Sequence, residues 1–213
     1  MNNEFLCDFC NSMKLNELYA PLGTRRGLKV FICEKCDLVQ SFPKIDHVKD
    51  VNKRVSGSAD WGNIRYGKNF RTKKDLKIIS DFINLRKVRT CLDIGSNRGG
   101  FFKELLNANN NIEFWGIEPD ENIIKDYLYT PKTNIINGRV ENVNLPDNYF
   151  DIIYMSHTLE HLKSPSEVFS KAKSALKPDG ILYIEVPNIE FLKQLDIVEE
   201  WFIDKHLYHF SRH

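Results

Sequence analysis

The chain has 213 residues, enough for one medium-sized domain and a small second one. Its content of 42% hydrophobic and 12% aromatic residues excludes a disordered protein, and its net charge of +1 argues against general affinity for nucleic acid or anionic membranes. The first residues lack the basic start and apolar stretch of a signal peptide, and no apolar run is long enough to span a membrane. We therefore predict a cytoplasmic protein with reduced cysteines.

Four cysteines form two C-x-x-C pairs near the N-terminus. Cys7 and Cys10 are separated from Cys33 and Cys36 by 22 residues. In a reducing compartment, two such pairs are typical of a structural zinc ion held by four thiolates, which leave no open position for catalysis. We predict a zinc ribbon over residues 1–42, a polar linker or cap over 43–68, and a second domain over 69–213.

The second domain is predicted to be an α/β domain with a doubly wound, mainly parallel, Rossmann-like sheet. Strand-like and helix-like segments alternate from about residue 69, which is typical of parallel pairing. The helices are expected at 74–83, 101–106, 121–128 and 164–176, the last of them stopping at Pro178-Asp179-Gly180. The strands are expected at 88–94, 112–117, 134–136, 150–155 and 181–186.

A glycine-rich loop lies between the first predicted strand of this domain and its helix. Gly95 permits a tight turn, and Gly99 or Gly100 permits close approach of a ligand to the backbone. The helix that follows offers free N–H groups at its N-terminus. Glu118 ends the next strand, 23 residues after Gly95, where an acidic residue can hydrogen-bond the ribose of a nucleotide cofactor.

Four stretches of this domain resemble the class I S-adenosylmethionine-dependent methyltransferases. They are LDIGSNRGG (92–100), GIEPD (116–120), LPDNYFDIIYMSHTLEHL (145–162) and LKPDGILYIEVPN (176–188). The resemblance implies S-adenosylmethionine as cofactor, with the methionine pocket around the loop, the ribose at Glu118, the adenine near Val140, and two residues after the fourth strand beside the cofactor. The implied cofactor-binding residues are Asp93, Gly95, Ser96, Asn97, Gly99, Glu118, Pro119, Asp120, Val140, Ser156 and His157.

A four-cysteine module before a methyltransferase domain is similar to a bacterial subgroup that includes sugar C-methyltransferases. That subgroup carries a Tyr-His-Glu-His cluster, and His206 matches its last histidine, while Asp204 and Lys205 replace its neighbours. The resemblance implies a nucleotide-linked sugar or polysaccharide precursor as acceptor, with C- or O-methylation left open. His206 and His209 are the candidate acid/base residues, although packing roles remain open for both, and His161 is expected to be structural.

Two alternative functions remain open from the sequence. Residues 61–90 contain nine lysines and arginines against two acidic residues. Such a run is usually a solvated helix face, and the alternative is a binding surface for a phosphorylated substrate or for RNA, as in an RNA methyltransferase. The near-neutral total charge and the lack of an aromatic–basic platform argue against RNA. The other alternative is a non-catalytic protein that retains the cofactor-binding fold.

The sequence also raises an expectation about the end of the sheet. The resemblance implies a sheet of seven strands, of which five can be placed in the sequence. The last two strands would form a hairpin, and about forty further residues would be needed for it. We therefore expect a truncated or split methyltransferase. An open edge of this kind would need a partner chain or a second copy to cover it.

Overall fold

A computed structural model describes residues 5–21, 27–44, 68–125, 127, 129–190 and 206–212. The strands are β1 Leu15–Tyr19, β2 Lys29–Cys33, β3 Val39–Phe42, β4 Thr90–Ile94, β5 Glu113–Glu118, β6 Thr133–Asn137, β7 Phe150–Ser156, β8 Leu176–Glu185 and β9 Tyr208–His209. The helices are α1 Lys68–Ser80, α2 Gly100–Ala108, α3 Glu121–Ile124 and α4 Pro165–Ala175, with short 3-10 turns at Leu85–Lys87, Val140–Asn142 and Leu159–His161.

The chain divides into two compact units. The first consists of Met1–His47, His157–Glu167 and Glu185–His213, and the second of Val48–Ser156 and Val168–Ile184. This division differs from the predicted boundaries, which placed all of residues 69–213 in one domain. Strand pairing explains part of the difference, because β9 pairs antiparallel with β3 and so joins residues near the end of the chain to the N-terminal strands.

The second unit contains the predicted α/β fold. Its parallel five-stranded sheet has the order β6-β5-β4-β7-β8, so each predicted strand is present. All five residues of the central strand β4 are buried, as expected for a strand covered on both faces. The reversal of strand order between β4 and β7 creates the crevice where doubly wound sheets bind ligands.

Helices α1 and α2 pack against this sheet through two different kinds of contact. Phe102 of α2 stacks on Phe114 of β5 with ring centroids 4.2 Å apart, and both rings are fully buried. Burial of such a ring contributes about 1.5 to 3 kcal/mol. From α1, the buried carboxylate of Asp75 accepts hydrogen bonds from the hydroxyls of Tyr154 (2.7 Å) and Tyr183 (2.8 Å).

Three predicted element boundaries are wrong. Helix α1 begins at Lys68, earlier than expected, and α3 already ends at Ile124. The expected stop at Pro178-Asp179-Gly180 lies inside β8, which begins at Leu176. Close packing explains why Gly180 is a glycine here, because a Cβ at this position would lie 2.9 Å from the carbonyl oxygen of Phe150.

The first unit contains a small antiparallel sheet with the order β1-β2-β3-β9. Its hydrophobic core is built around Val30 and Val39. Among the described residues of both units, no helix is long and apolar enough to cross a membrane.

We expect Asp151→Asn to destabilise the second unit in a pH-dependent way. Oδ2 of Asp151 accepts the backbone N–H groups of Arg89 (2.8 Å) and Thr90 (2.9 Å), and Lys177 Nζ lies 2.8 Å from Oδ1. Burial alone would raise the pKa of this carboxyl, but Lys177 and the two N–H groups lower it. The loss should be about 1 to 2 kcal/mol near pH 7, since the ion pair is partly exposed.

The folded pKa of Asp151 lies below the unfolded value, so its stabilisation is complete above the unfolded pKa of about 3.9 and disappears as pH falls through the folded pKa. Urea unfolding of the parent and the variant should therefore differ by a constant amount above pH about 5, and the difference should shrink below pH about 4. The exposed Asp147, changed to Asn, is the matched control. A difference that persists unchanged into acid would contradict the prediction.

Candidate functional site

The glycine-rich loop after β4 is shaped by three left-handed backbone conformations. Gly95, Asn97 and Gly99 have φ angles of 78°, 47° and 71°. Glycine and asparagine adopt this region at the least cost, which explains these residue types at alternate positions. The N–H groups of Gly95 (2.9 Å) and Ser96 (3.0 Å) both donate to the carbonyl of Ile117, so the loop is fixed to the end of β5.

Glu118, the predicted ribose ligand, lies directly beside this loop. Its carboxylate accepts the N–H of Asn97 on Oε2 (2.9 Å) and the N–H of Asp120 on Oε1 (3.0 Å). Burial raises the pKa of Glu118, and these two hydrogen bonds oppose the rise. Each carboxylate oxygen has a further lone pair, so the site has the acceptors that two ribose hydroxyls require.

Asp93 provides a second buried carboxyl at the end of β4. Its side chain is almost completely buried, and burial together with the charge of Glu118 raises its pKa well above the ordinary value. A buried carboxylate with a raised pKa is stabilised when a cation is brought close to it. S-adenosylmethionine carries both an ammonium and a sulfonium group, so this electrostatic environment suits that cofactor better than it suits a pyrophosphate.

Three buried polar atoms around the loop make no hydrogen bond to the described protein. They are Ser96 Oγ, Asp120 Oδ2 and Tyr127 Oη. The other oxygen of Asp120 caps helix α3 by accepting the N–H of Asn122 at 2.9 Å. Buried polar groups are nearly always satisfied, and Ser96 and Tyr127 lie close enough to interact with each other, so Asp120 Oδ2 is the atom that most needs a further polar partner here.

Tyr127 is a site residue that the sequence analysis missed. Its ring lies over Gly99, and a Cβ at that glycine would meet the ring carbon Cζ at 2.7 Å. Burial and the charge of Asp93 raise the pKa of the tyrosine, which therefore remains a neutral hydroxyl. The sequence placed Tyr127 inside a helix predicted over 121–128, whereas α3 ends at Ile124 and the contact depends on how the chain returns between α3 and β6.

The four predicted zinc ligands come together in the first unit. The Sγ atoms of Cys7 and Cys36 are 3.5 Å apart, as are those of Cys10 and Cys33, and all four lie within 4.8 Å of one another. A tetrahedral ion with Zn–S bonds of about 2.3 Å requires sulfur separations of about 3.8 Å. The cluster therefore fits one zinc ion with only small adjustments.

The two cysteine loops share one backbone design. In the first, Asn11 donates its N–H to the carbonyl of Cys7 (2.9 Å) and has a φ of 55°. In the second, Asp37 does the same to Cys33 (2.9 Å) with a φ of 59°. Each loop closes with a bond from the N–H of its first cysteine to a carbonyl five residues later, at 3.0 Å in both. Two equivalent turns present two pairs of thiols to a common point.

Thiol ionisation differs across the cluster. Burial raises the pKa of Cys36 to about 12. Burial also opposes ionisation of Cys33, but the N–H groups of Lys35 and Cys36 outweigh it and lower the pKa of Cys33 to about 7. Cys91, the fifth cysteine, is fully buried in β4 outside this cluster.

Comparison with known proteins decides the family. Residues 67–213 match the family described as a methyltransferase domain. The chain belongs to this methyltransferase family. It is 30% identical over 103 residues to a tRNA U34 carboxymethyltransferase of Syntrophotalea carbinolica, covering 46% of this chain and 32% of that protein. It is 25% identical over 129 residues to phosphoethanolamine N-methyltransferase 2 of Caenorhabditis elegans, covering 58% and 29%.

A solved structure agrees with this identification. A SAM-dependent methyltransferase from Archaeoglobus fulgidus superimposes with a TM-score of 0.53 and 26% identity, covering 68% of this chain and 63% of that one. The chain spans about a third of the length of the two curated relatives. Together these matches show a class I S-adenosylmethionine-dependent methyltransferase and leave the methyl acceptor unspecified.

The remaining predicted cofactor contacts of the methyltransferase stay predictions. Val140 is buried in a 3-10 turn, and its carbonyl accepts Lys171 Nζ (3.0 Å) and the N–H of Val143 (3.2 Å). Contact with an adenine would thus use the N–H or the side chain of Val140. Pro119 lies between Glu118 and Asp120 in the loop after β5, and Ser156 is the last residue of β7.

His157 begins a group of histidines in the first unit. Its φ of 52° is unusual for a histidine, and its N–H donates to the carbonyl of Glu185 at 2.8 Å. Its ring lies between two carboxylates, with Nδ1 3.5 Å from Glu160 and Nε2 3.9 Å from Glu185. Backbone strain of this kind is often found at functional sites, where the surroundings hold it in place.

The two predicted acid/base residues occupy different environments. His206 is partly exposed, and its ring centroid lies 4.9 Å from that of His161. His209 is buried in β9, with Nε2 3.1 Å from Ser41 Oγ, and burial lowers its pKa to about 3. A base with so low a pKa accepts protons poorly near neutral pH. The structure therefore favours a packing role for His209 and leaves His206 as the catalytic candidate.

Proposed function

We propose that this methyltransferase transfers the methyl group of S-adenosylmethionine to a small hydroxyl-bearing acceptor, a sugar or a nucleotide-linked sugar. The observation that carries the proposal is the four-cysteine cluster in a methyltransferase chain that also contains His206. This combination resembles the sugar methyltransferase subgroup. We further propose that the cluster holds one structural zinc ion and that the protein works in the cytoplasm, where its thiols stay reduced.

The reaction is a direct displacement at the methyl carbon of a sulfonium. Much of the acceleration can come from aligning the acceptor oxygen, the methyl carbon and the sulfur. In this chain, the loop 95–99, Glu118 and Asp93 would bind and orient the cofactor. A hydroxyl acceptor must also lose its proton, and we propose that His206 is the residue that assists this loss.

Cofactor binding should depend strongly on Glu118. We expect Glu118→Ala to weaken binding of S-adenosylmethionine by about 1 to 3 kcal/mol, which is roughly a 5- to 150-fold rise in Kd. The loss includes looser anchoring of Asn97 and Asp120, because both donate to this carboxylate. Isothermal titration calorimetry measures the change, and an unchanged thermal melt controls for folding. Tight binding of NADH with none of S-adenosylmethionine would contradict the cofactor assignment.

His206→Ala should lower kcat while leaving the cofactor affinity unchanged. We expect a loss of about 100-fold or more, the usual contribution of assisted proton transfer. The measurement is methyl transfer to a panel of nucleotide-linked sugars, using radiolabelled S-adenosylmethionine. Full turnover in the variant would place the assisting group elsewhere. Absence of turnover with every acceptor in the parent protein would favour the non-catalytic alternative.

An RNA methyltransferase is the second candidate, and one structural observation favours it. Helix α1 exposes Lys73, Lys74 and Lys77, and the ring of Phe70 is 75% exposed beside them. Exposed aromatic rings among basic residues are typical of single-stranded nucleic acid binding. A salt-dependent shift of RNA in a gel that is abolished by changing the three lysines to glutamine would support an RNA acceptor over a sugar acceptor.

A further inference from the structure

The side chain of Glu160 is buried without a hydrogen bond. It is 1% exposed, and neither carboxylate oxygen has a hydrogen-bond partner in the described protein. The nearest groups of opposite polarity are imidazole nitrogens, with His157 Nδ1 at 3.5 Å and His161 Nε2 at 3.8 Å. Isolating a carboxylate from water costs several kcal/mol unless a cation compensates it. The arrangement therefore favours a positive charge close to Glu160, from a protonated imidazole or from a bound cation.

Glu160, His161 and His206 together form a ligand set of a kind that is common in metal sites. One ligand atom from each of Glu160, His161 and His206 lies within 4.8 Å of the other two. Ligands bound at about 2.1 Å are separated by about 3 to 4 Å, so a modest movement of the partly exposed His206 would close the set. Two histidines and one carboxylate typically hold a divalent transition metal and leave open coordination positions.

The surroundings of these three residues also match a metal centre. The ring of His157 connects Glu160 to a second carboxylate. Its Nδ1 lies 3.5 Å from Glu160, and its Nε2 lies 3.9 Å from Glu185. Outer groups of this kind orient the ligands of a metal site. The carbonyl of Glu160 accepts the N–H of Leu207 at 2.7 Å, so the backbone segments that carry Glu160 and His206 are joined directly.

We propose that Glu160, His161 and His206 bind a divalent transition-metal ion, separate from the ion of the cysteine cluster. If the proposed function holds, this ion has a chemical use. An acceptor hydroxyl bound at an open position would lose its proton to solvent more readily, and the resulting oxygen would attack the methyl carbon as the carbon–sulfur bond breaks. His206 would then assist the proton loss as a metal ligand rather than as a free base.

The test uses Co²⁺ as the probe, added to the zinc-loaded protein of residues 1–213 without cofactor or acceptor. We expect one equivalent of Co²⁺ to bind with the weak visible absorption of nitrogen and oxygen ligands. Replacement of zinc in the cysteine cluster would instead give intense thiolate-to-cobalt absorption. Glu160→Gln and His206→Ala should each reduce Co²⁺ affinity at least tenfold, with a melt like that of the parent. Glu121→Gln, at an exposed carboxylate on α3, should have no effect.

The possible outcomes separate this site from the proposed function. No Co²⁺ uptake beyond the cysteine cluster, or uptake that persists unchanged in Glu160→Gln, would overturn the metal site. A role in transfer predicts that a mild chelator abolishes turnover and that added Co²⁺ restores it. Turnover that is indifferent to the chelator would overturn that role. Failure of the proposed function looks different, because Co²⁺ would bind normally while no acceptor is methylated.

Discussion

Cys33→Ser should abolish stoichiometric zinc binding and unfold the small sheet of the first unit. Zinc bound by four cysteine sulfurs contributes about 10 to 16 kcal/mol in small zinc-binding peptides. The hydrophobic core here, built around Val30 and Val39, is too small to replace that contribution. Cys33 is one of the four thiols that meet in the cluster, so its loss leaves three sulfur ligands and an open coordination position.

Two measurements check this prediction. Elemental analysis of protein dialysed against a mild chelator should give one tightly held zinc in the parent and none in the variant. Hydrogen exchange should show that amide protection in β2 and β3 is lost. Cys91→Ala is the matched control, since it removes a buried thiol outside the cluster and should keep the zinc. Metal-free parent protein with protected β2 and β3 amides would contradict a structural zinc ion.

The sequence predicted the parts of the fold that are coded locally. The five strands of the second unit could be placed because short apolar segments alternate with helix-like ones, and three of them, β4, β5 and β7, are mostly buried. The tight turn at Gly95 could be predicted for a similar reason, since few other residues adopt its positive φ at low cost, whereas the positive φ of Gly99 was not predicted. The boundaries were less accurate, because strand pairing rather than local preference determines where β8 begins.

Contacts between distant parts of the chain could not be predicted. The pairing of Val39 with His209 joins strands that are far apart in the sequence, and it accounts for the burial of His209 in the small sheet. Burial of Glu160 depends on packing within the first unit, and a single Glu-His dipeptide does not reveal it. Similarly, the position of Tyr127 over Gly99 required the path of the chain after α3.

Gly99→Ala should disrupt the cofactor loop, and Gly100→Ala should not, although the two glycines are adjacent. At Gly99 the φ angle is 71°, and an added Cβ would lie 2.7 Å from the ring of Tyr127. The conformational strain and the overpacking together should cost about 2 to 4 kcal/mol. At Gly100, the first residue of α2, an added Cβ meets nothing within 4 Å, so alanine should be neutral or stabilise by about 0.5 kcal/mol.

Urea unfolding and calorimetric titration with S-adenosylmethionine measure both effects. We expect the Kd of Gly99→Ala to rise tenfold or more, because the loop must move to relieve the contact with Tyr127. The double variant Gly99→Ala with Tyr127→Leu separates the two causes. Removing the ring relieves the overpacking but leaves the left-handed φ, so the double variant should recover only part of the lost stability. Full recovery would show that the backbone conformation is not strained, and no recovery would show that Tyr127 does not pack on Gly99.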